Sequence, residues 1–362
     1  MAIKIDLEKV YDRLEWHFIR DMLIFFKIPN YIAQVIMSCV SFSSISILLN
    51  GGKLDSFLPS RGIRQGDLLS PYLFIMCMEF LSFLIHERCE EKLWNPIKAV
   101  RNGPAFSHLF FTDDLVLFTK ADHKNCQSVK EVLESFCDLP GQKVNLNKSK
   151  VFFSPNVSPT LCSEFRAVFG FESTPNLGKY LGLPIKHIGS LSQDYDFVVK
   201  RVQSKLIRWK ANLLSMAGHV NLVQSVTLVI PSYVMQGVLL PGKTLAAIDR
   251  LNCNFIWGSS NTTKKKKLHL VSWKKIAKPK ANGGLGIMAA KPKNLALAAK
   301  LCWRFKSNPH ETCVKVLKGK YLAGSKQRKH VVSKIWTTIL NGENICNKGA
   351  RWSVGNNCSL NF

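Results

Sequence analysis

No two of the eleven cysteines form a C-x-x-C pair, and no Cys/His quartet has zinc spacing. The sequence therefore encodes neither a disulfide framework nor a structural zinc centre. Scattered thiols such as Cys39, Cys77, Cys126, Cys253 and Cys358 predict reduced, mostly buried side chains in the nucleus or cytoplasm. Lys4, Asp6, Glu8 and Lys9 interrupt any apolar region at the start, which is not the pattern of a secretory leader. Long hydrophobic runs are missing as well. The most apolar stretch, Tyr72–Ile85, is broken by Glu79 and is too short to span a bilayer. No internal repeat is visible. Acids are scarce late in the chain: residues 151–362 hold 7 Asp+Glu against 32 Lys+Arg, a net of +25.

Residues 1–150, by contrast, hold 18 Lys+Arg against 17 Asp+Glu, a net of +1. A near-neutral first part can house a carboxylate-and-metal site. A strongly basic second part can neutralise phosphates along a nucleic acid and release their counterions. A hydrophobic content of 46% in 362 residues is enough for real cores and for two or three domains.

The pattern along the chain predicts an α+β fold. Ala2–Leu7 reads as a strand presenting Asp6 at its end. A helix is expected from Asp12 through Met22, and a second near Tyr31–Val40. Ser44–Asn50 and Lys53–Leu58 read as a hairpin around Gly51-Gly52. A long helix is expected over Leu69–Glu87. His108–Phe111 and Leu115–Lys120 flank Thr112-Asp113-Asp114 as a second hairpin with the acids at its tip. Lys124–Cys137 has helical spacing, and Val151–Ser154 and Lys179–Pro184 read as strands. After residue 190 helices dominate: Phe197–Leu214, Asn221–Val229 and Lys243–Phe255. In the first of these, Val198, Val202, Leu206, Trp209 and Leu213 form an apolar stripe. Arg201, Lys205 and Arg208 form a separate basic one. Past Asn344 the pattern is weak. This order fits an antiparallel sheet with helices on one face, followed by a mostly helical region.

Asp6, Asp113 and Asp114 carry the chemistry. Adjacent carboxylates on a tight turn repel, so one must protonate or a cation must bind. Oxygen-only ligands favour Mg²⁺ or Mn²⁺. Transfer of a phosphoryl group to a 3′-hydroxyl uses two such ions about 3.5–4 Å apart. The competing reading of an Asp-Asp pair is a solvated turn.

Between the acidic elements lies Arg61-Gly-Ile-Arg-Gln-Gly-Asp-Leu-Leu-Ser-Pro-Tyr-Leu-Phe74. With Asp6-Leu-Glu-Lys-Val-Tyr-Asp12 before it and Phe111-Thr-Asp-Asp114 after it, the segment closely resembles the reverse transcriptases of non-LTR (LINE-type) retrotransposons. Gly141-Gln-Lys-Val-Asn-Leu-Asn-Lys-Ser149 and Tyr180-Leu-Gly-Leu-Pro184 continue the match in the family's order. Phe255-Ile-Trp-Gly258 and Pro279-Lys-Ala-Asn-Gly-Gly-Leu-Gly286 look like copies found in plant genomes. The resemblance implies a reverse-transcriptase palm over residues 1–188, a helical thumb over 189–260 and a basic, truncated C-terminal region over 261–362. It implies RNA-directed DNA polymerase activity with two Mg²⁺ or Mn²⁺ ions. The partners would be an RNA template, a DNA primer, their duplex and deoxynucleoside triphosphates.

Residue by residue, the resemblance makes Asp6, Asp113 and Asp114 the metal ligands, with the backbone carbonyl of Leu7 as a further one. Tyr11 matches the steric gate against a 2′-hydroxyl. Arg64, Gln65 and Gly66 match the segment that meets the incoming nucleotide and template. Lys148, or Lys143, would protonate pyrophosphate. Tyr180, Leu181 and Gly182 would grip the primer. Arg201, Lys205 and Arg208 would face the duplex from the thumb. Lys264, Lys265, Lys266 and Lys267 would add a phosphate grip or an import signal. The sequence departs from the family in several respects, Leu139-Pro140 before Gly141 among them. Met1 stands five residues before Asp6, so the fingers and endonuclease regions are expected to be missing. Thr112 replaces a small residue, and Leu68 stands where proline is frequent. The chain is thus expected to bind nucleic acid and polymerise poorly, the alternative being a catalytically dead nucleic-acid-binding remnant.

Overall fold

The structure, a computed structural model, describes residues 1–100, 103–185, 192–207, 214–258, 268–322 and 332–350. The chain divides into two compact units, residues 1–186 and 187–362. The fold class is α+β, as the sequence pattern predicts.

The first unit is built on a five-stranded sheet in the order β6-β7-β1-β8-β9. Its strands are β1 (Ala2–Ile5), β6 (His108–Phe111), β7 (Asp114–Phe118), β8 (Lys150–Phe152) and β9 (Glu172–Ser173). All neighbours are antiparallel except β8 and β9. Alternation along β1 explains its place at the centre. Ile3 and Ile5 are fully buried on one face, and Lys4 projects from the other. Leu115, Leu117 and Val151 join the two isoleucines in one core.

Helices complete that core through apolar positions at helical spacing. They are α2 (Trp16–Phe25, through Phe18, Ile19, Met22 and Leu23), α4 (Ser70–Glu90, through Leu73, Cys77, Leu81 and Ile85) and α5 (His123–Asp138, through Val129, Val132 and Phe136). The α5 start is fixed by Asp122, whose Oδ1 accepts from Asn125 N at 2.8 Å. The buried Asn125 side chain in turn accepts from Thr119 Oγ1 and Asn95 N, both at 2.6 Å, tying the end of β7 to the chain before it.

Several expectations change. The helix predicted from Asp12 through Met22 is two helices, α1 (Val10–Arg13) and α2, separated at Leu14 and Glu15. Other segments claim the backbone there: Leu14 O accepts from Gly62 N at 2.7 Å, and Glu15 N donates to Pro140 O at 3.1 Å. The first hairpin, β2 (Leu48–Leu49) with β3 (Gly52–Lys53), turns on Asn50-Gly51 rather than Gly51-Gly52. Both turn residues have positive φ, 49° and 84°, as a type I′ turn requires. Lys179–Pro184 is not the single strand the pattern suggests but a hairpin at Tyr180–Gly182, as the family resemblance implies, β10 (Lys179–Tyr180) with β11 (Leu183–Pro184). Unforeseen are β4 (Ile97–Lys98) pairing β5 (Ala105–Phe106), and α6 (Pro159–Phe169). The remaining helix of this unit, α3 (Asn30–Ser41), lies where expected.

The second unit is helical among its described residues. It holds α7 (Asp196–Leu206), α8 (Met216–Leu222) continuing into a π-turn over Val223–Thr227, α9 (Ser232–Met235), α10 (Gly242–Ile256), α11 (Trp273–Ile276), α12 (Ala290–Ser307), α13 (Thr312–Tyr321) and α14 (Lys334–Gly349). The last is a helix the sequence pattern did not suggest; of the weakly patterned segment past Asn344, residues 351–362 lie outside the described ones. Buried Asn294 holds the chain after α9 in place, accepting from Leu240 N and donating to Met235 O and Val238 O. All ten described cysteines are free. No described helix is long and apolar enough to cross a membrane.

Candidate active site

Strand register brings the distant acids together. β1 pairs β7 up to Ile5 opposite Leu115, and Asp6 and Asp114 are the residues that adjoin this last pair on the two chains. Asp113 stands one residue earlier, in the two-residue turn Thr112-Asp113 that joins β6 to β7. Thr112 adopts a left-handed φ of 52°, uncommon for a β-branched residue. Its hydroxyl lies between Phe111 O at 2.7 Å and Asp113 Oδ1 at 2.9 Å.

The segment Gly141–Ser149 latches the Asp6 end of β1. Asp6 N donates to Ser149 Oγ at 3.1 Å, and Asp6 O accepts from Asn145 N at 2.8 Å. Leu7 bridges Val144, and Glu8 N donates to Lys143 O at 2.8 Å. A motif read as a mere continuation of the family pattern thus fixes the direction in which the strand delivers its acid.

Two lysines reach the carboxylates. Lys148 Nζ lies 3.7 Å from Asp6 Oδ2, whereas Lys143 Nζ pairs with Glu8 at 3.8 Å. Of the two lysines left open by the sequence, Lys148 is the one beside an acid of the triad. Lys4, which the sequence reading passed over, has Nζ 3.8 Å from Asp114 Oδ1 and donates to Lys179 O at 2.6 Å. It links the acid to hairpin β10–β11. Burial, and then the charge of Asp114, push the Tyr180 hydroxyl up from its ordinary pKa, which places that ring within the field of the same acid. The hairpin turns on Leu181 and Gly182, with φ of 48° and 75°.

A cavity of about 1010 Å³ opens beside Asp113. Leu7, Tyr11, Gln65, Gly66 and Thr112 line it as well, so three separate motifs share one space. The Tyr11 ring stacks on Phe74 with centroids 5.1 Å apart. Tyr11 O accepts from Ile63 N at 2.9 Å, which docks the 61–67 loop against α1. Gly62 makes the docking possible: its φ is 86°, and a Cβ there would lie 2.9 Å from Asp12 O. Trp16 Nε1 adds a bond to Gly62 O at 2.8 Å. Arg64 faces a different cavity, of about 510 Å³, which Gln65 also borders.

As the side chains stand, no three His, Cys, Asp or Glu groups among the described residues converge closely enough to hold a metal ion. The oxygens of Asp6 and Asp114 face Lys148 and Lys4 instead, at 3.7 and 3.8 Å. The donor set nonetheless fits a hard divalent cation, because it offers only oxygens, on adjoining strands and one tight turn.

In the second unit, Val198, Val202 and Leu206 of α7 are buried while Arg201 and Lys205 are exposed, which separates the two predicted stripes. Arg208 and Lys264–Lys267 lie outside the described residues.

A family model for "Reverse transcriptase (RNA-dependent DNA polymerase)" matches residues 1–185. A protein of Arabidopsis thaliana named for ribonuclease H is 34% identical over 172 residues, 46% of this chain and 27% of that protein. A retrovirus-related Pol polyprotein from a type-2 retrotransposable element of Drosophila melanogaster is 29% identical over 144 residues, 40% of this chain and 13% of its own length. The chain therefore spans well under half of either relative. A solved telomerase from Candida albicans aligns over 88% of this chain and 50% of its own, at 14% identity and a TM-score of 0.39.

Proposed function

Because the chain belongs to the reverse transcriptase family, we propose that its first unit is the palm of an RNA-directed DNA polymerase of non-LTR retrotransposon type. The observation that supports this reading is the register that ends at Ile5 and Leu115, next to Asp6 and Asp114, with Asp113, Tyr11, Gln65 and Gly66 around one cavity.

Divalent cations are general to this family. Asp6, Asp113, Asp114 and the Leu7 carbonyl would hold two Mg²⁺ or Mn²⁺ ions, which supply activation of a primer 3′-hydroxyl and charge neutralisation on the triphosphate. The rest is the work of the chain itself. Tyr11, held flat by Phe74, puts a ring where the sugar of an incoming nucleotide would lie, and a ring there excludes a 2′-hydroxyl. Gln65 and Gly66 present an exposed edge to the nucleotide and template. Lys148 brings an ammonium to the leaving pyrophosphate, where it stabilises charge or gives up a proton. Hairpin β10–β11 would hold the primer strand near Asp114. Helix α7 and the basic second unit would serve as thumb and connection, with Arg201 and Lys205 toward the RNA–DNA duplex.

Two measurements on the chain test this. Mn²⁺ binding is followed by electron paramagnetic resonance, and single-nucleotide addition is followed on a DNA primer annealed to RNA. Asp113→Ala is expected to weaken Mn²⁺ binding and to cut addition by roughly 10²–10³-fold. Mn²⁺ binding and nucleotide addition that both survive Asp113→Ala would remove the assignment.

A further inference from the structure

From Arg250 to His310 the chain contains no acidic residue and fourteen Lys and Arg. Inside that stretch, Trp273–Gly286 closes on itself. Leu285 N donates to Ile276 O and Gly286 N to Lys278 O, both at 3.0 Å, and Gly284 N donates to Pro279 O at 3.1 Å. Ile276 and Ile287 anchor the two arms in the core formed by Val202, Val223 and Ile256. Gln224 Nε2 clamps Leu285 O at 2.8 Å. The arms approach so closely that a Cβ on Gly284 would overlap the Lys278 carbonyl. This is a fixed loop, and it presents Lys274, Lys275, Lys278 and Lys280, all exposed. None of the four forms an ion pair among the described residues.

Four ammonium groups within seven residues repel one another. An unfolded segment would let them spread, whereas this fold holds them on one rigid backbone. A polyanion with closely spaced charges offsets the repulsion and is bound with little ordering cost, because the loop is already formed. An anionic membrane surface fits less well, since α11 is only four residues long and offers no amphipathic helix to lie in a bilayer interface. We propose that Trp273–Gly286 is a preformed clamp on the sugar–phosphate backbone of nucleic acid, with these four lysines as the phosphate contacts. The proposal rests on the reading of the chain as a polymerase segment that holds nucleic acid, and it names where the second unit takes hold.

The test uses the full chain and a fluorescein-labelled RNA–DNA primer–template, with affinity measured across a salt series. Lys274→Gln, Lys275→Gln, Lys278→Gln and Lys280→Gln are combined in one variant. A control with the same change of charge combines Lys200→Gln, Lys243→Gln, Lys315→Gln and Lys348→Gln, all exposed. Each phosphate contact contributes about 0.9 to the slope of log affinity against log salt on a DNA duplex and about 0.7 on a single strand. The loop variant is expected to lose about 3–4 of that slope, the control less than about 1. Gly284→Ala keeps every charge but cannot keep the closed loop, and is expected to weaken binding at least about five-fold. Single-stranded RNA and duplex DNA, run in parallel, show which backbone is preferred. Equal loss of slope in the two quadruple variants, or full affinity in Gly284→Ala, would overturn the clamp while leaving the polymerase reading intact. A flat salt dependence in the unaltered chain would overturn both.

Discussion

Lys4 is the residue whose role the sequence hides most completely. A lysine two positions before an acid carries no signal of its own. Only the pairing of β1 with β7, and the nearby hairpin, give it partners. Its ammonium joins Asp114 to Lys179 O, so it couples an acid of the site to the segment proposed to hold the primer. Partial exposure of both ends, 23% for Lys4 and 40% for Asp114, limits what the ion pair contributes. The bond to the carbonyl remains, and a value of about 1 kcal/mol is reasonable for a half-exposed link of this kind. Lys4→Met is therefore expected to speed amide hydrogen exchange over residues 179–184 by about five-fold, with Lys4→Arg recovering part of the protection. Unchanged exchange in Lys4→Met would show that the hairpin is held by other contacts. Lys148 was legible as a candidate, but the choice between it and Lys143 turns on strand direction: Glu8 N bonds Lys143 O on one side of the latch, and Lys148 emerges on the other.

Among the elements, those with a wide apolar stripe were readable. Helices α4 and α5 bury residues at every turn, and their expected limits differ from the observed ones by only a few residues. Helix α6 was missed although its ends are marked: Ser158 caps it, Pro159 begins it and Gly170 stands just past it with a φ of 68°. Cap chemistry was the signal, and its sparse buried face masked it. The break between α1 and α2 could not be read, because it is imposed by the backbones of Gly62 and Pro140 from far along the chain. Motif order alone singled out the acids as candidates; what motif order could not supply was the 61–67 loop docked against α1. Gly62→Ala tests that arrangement. The new methyl meets Asp12 O in a backbone conformation that favours glycine, and a loss of about 2–4 kcal/mol is expected from combined strain and overpacking. Gly66→Ala, with a φ of 90° but open space around it, is expected to cost only about 1–2 kcal/mol. Urea denaturation compares them. Equal losses would mean that close approach at Gly62 contributes nothing beyond its dihedral.

On the scale of the whole molecule, two compact units differ in charge balance, residues 1–186 carrying the candidate acids and 187–362 most of the positive surplus. A ligand that binds only folded protein stabilises the unit it binds, by about 2.7 kcal/mol at a hundred-fold excess over its dissociation constant. For a unit of this size, that corresponds to a rise of roughly 5–10 °C in its melting temperature. Calorimetry with Mn²⁺ should thus move one transition upward and leave the other in place, and Asp113→Ala should abolish the movement. A uniform shift of both would point to non-specific ion binding. The central place of β1 in its sheet has a consequence for how such a chain comes into being on the ribosome. β1 is made first, yet one neighbour, β7, begins at Asp114, and the other, β8, at Lys150. At synthesis rates of about 5–20 residues per second, the strand waits roughly 5–20 s for its first partner. Through that interval its backbone groups and isoleucines have no sheet to join, which leaves the nascent chain exposed to aggregation.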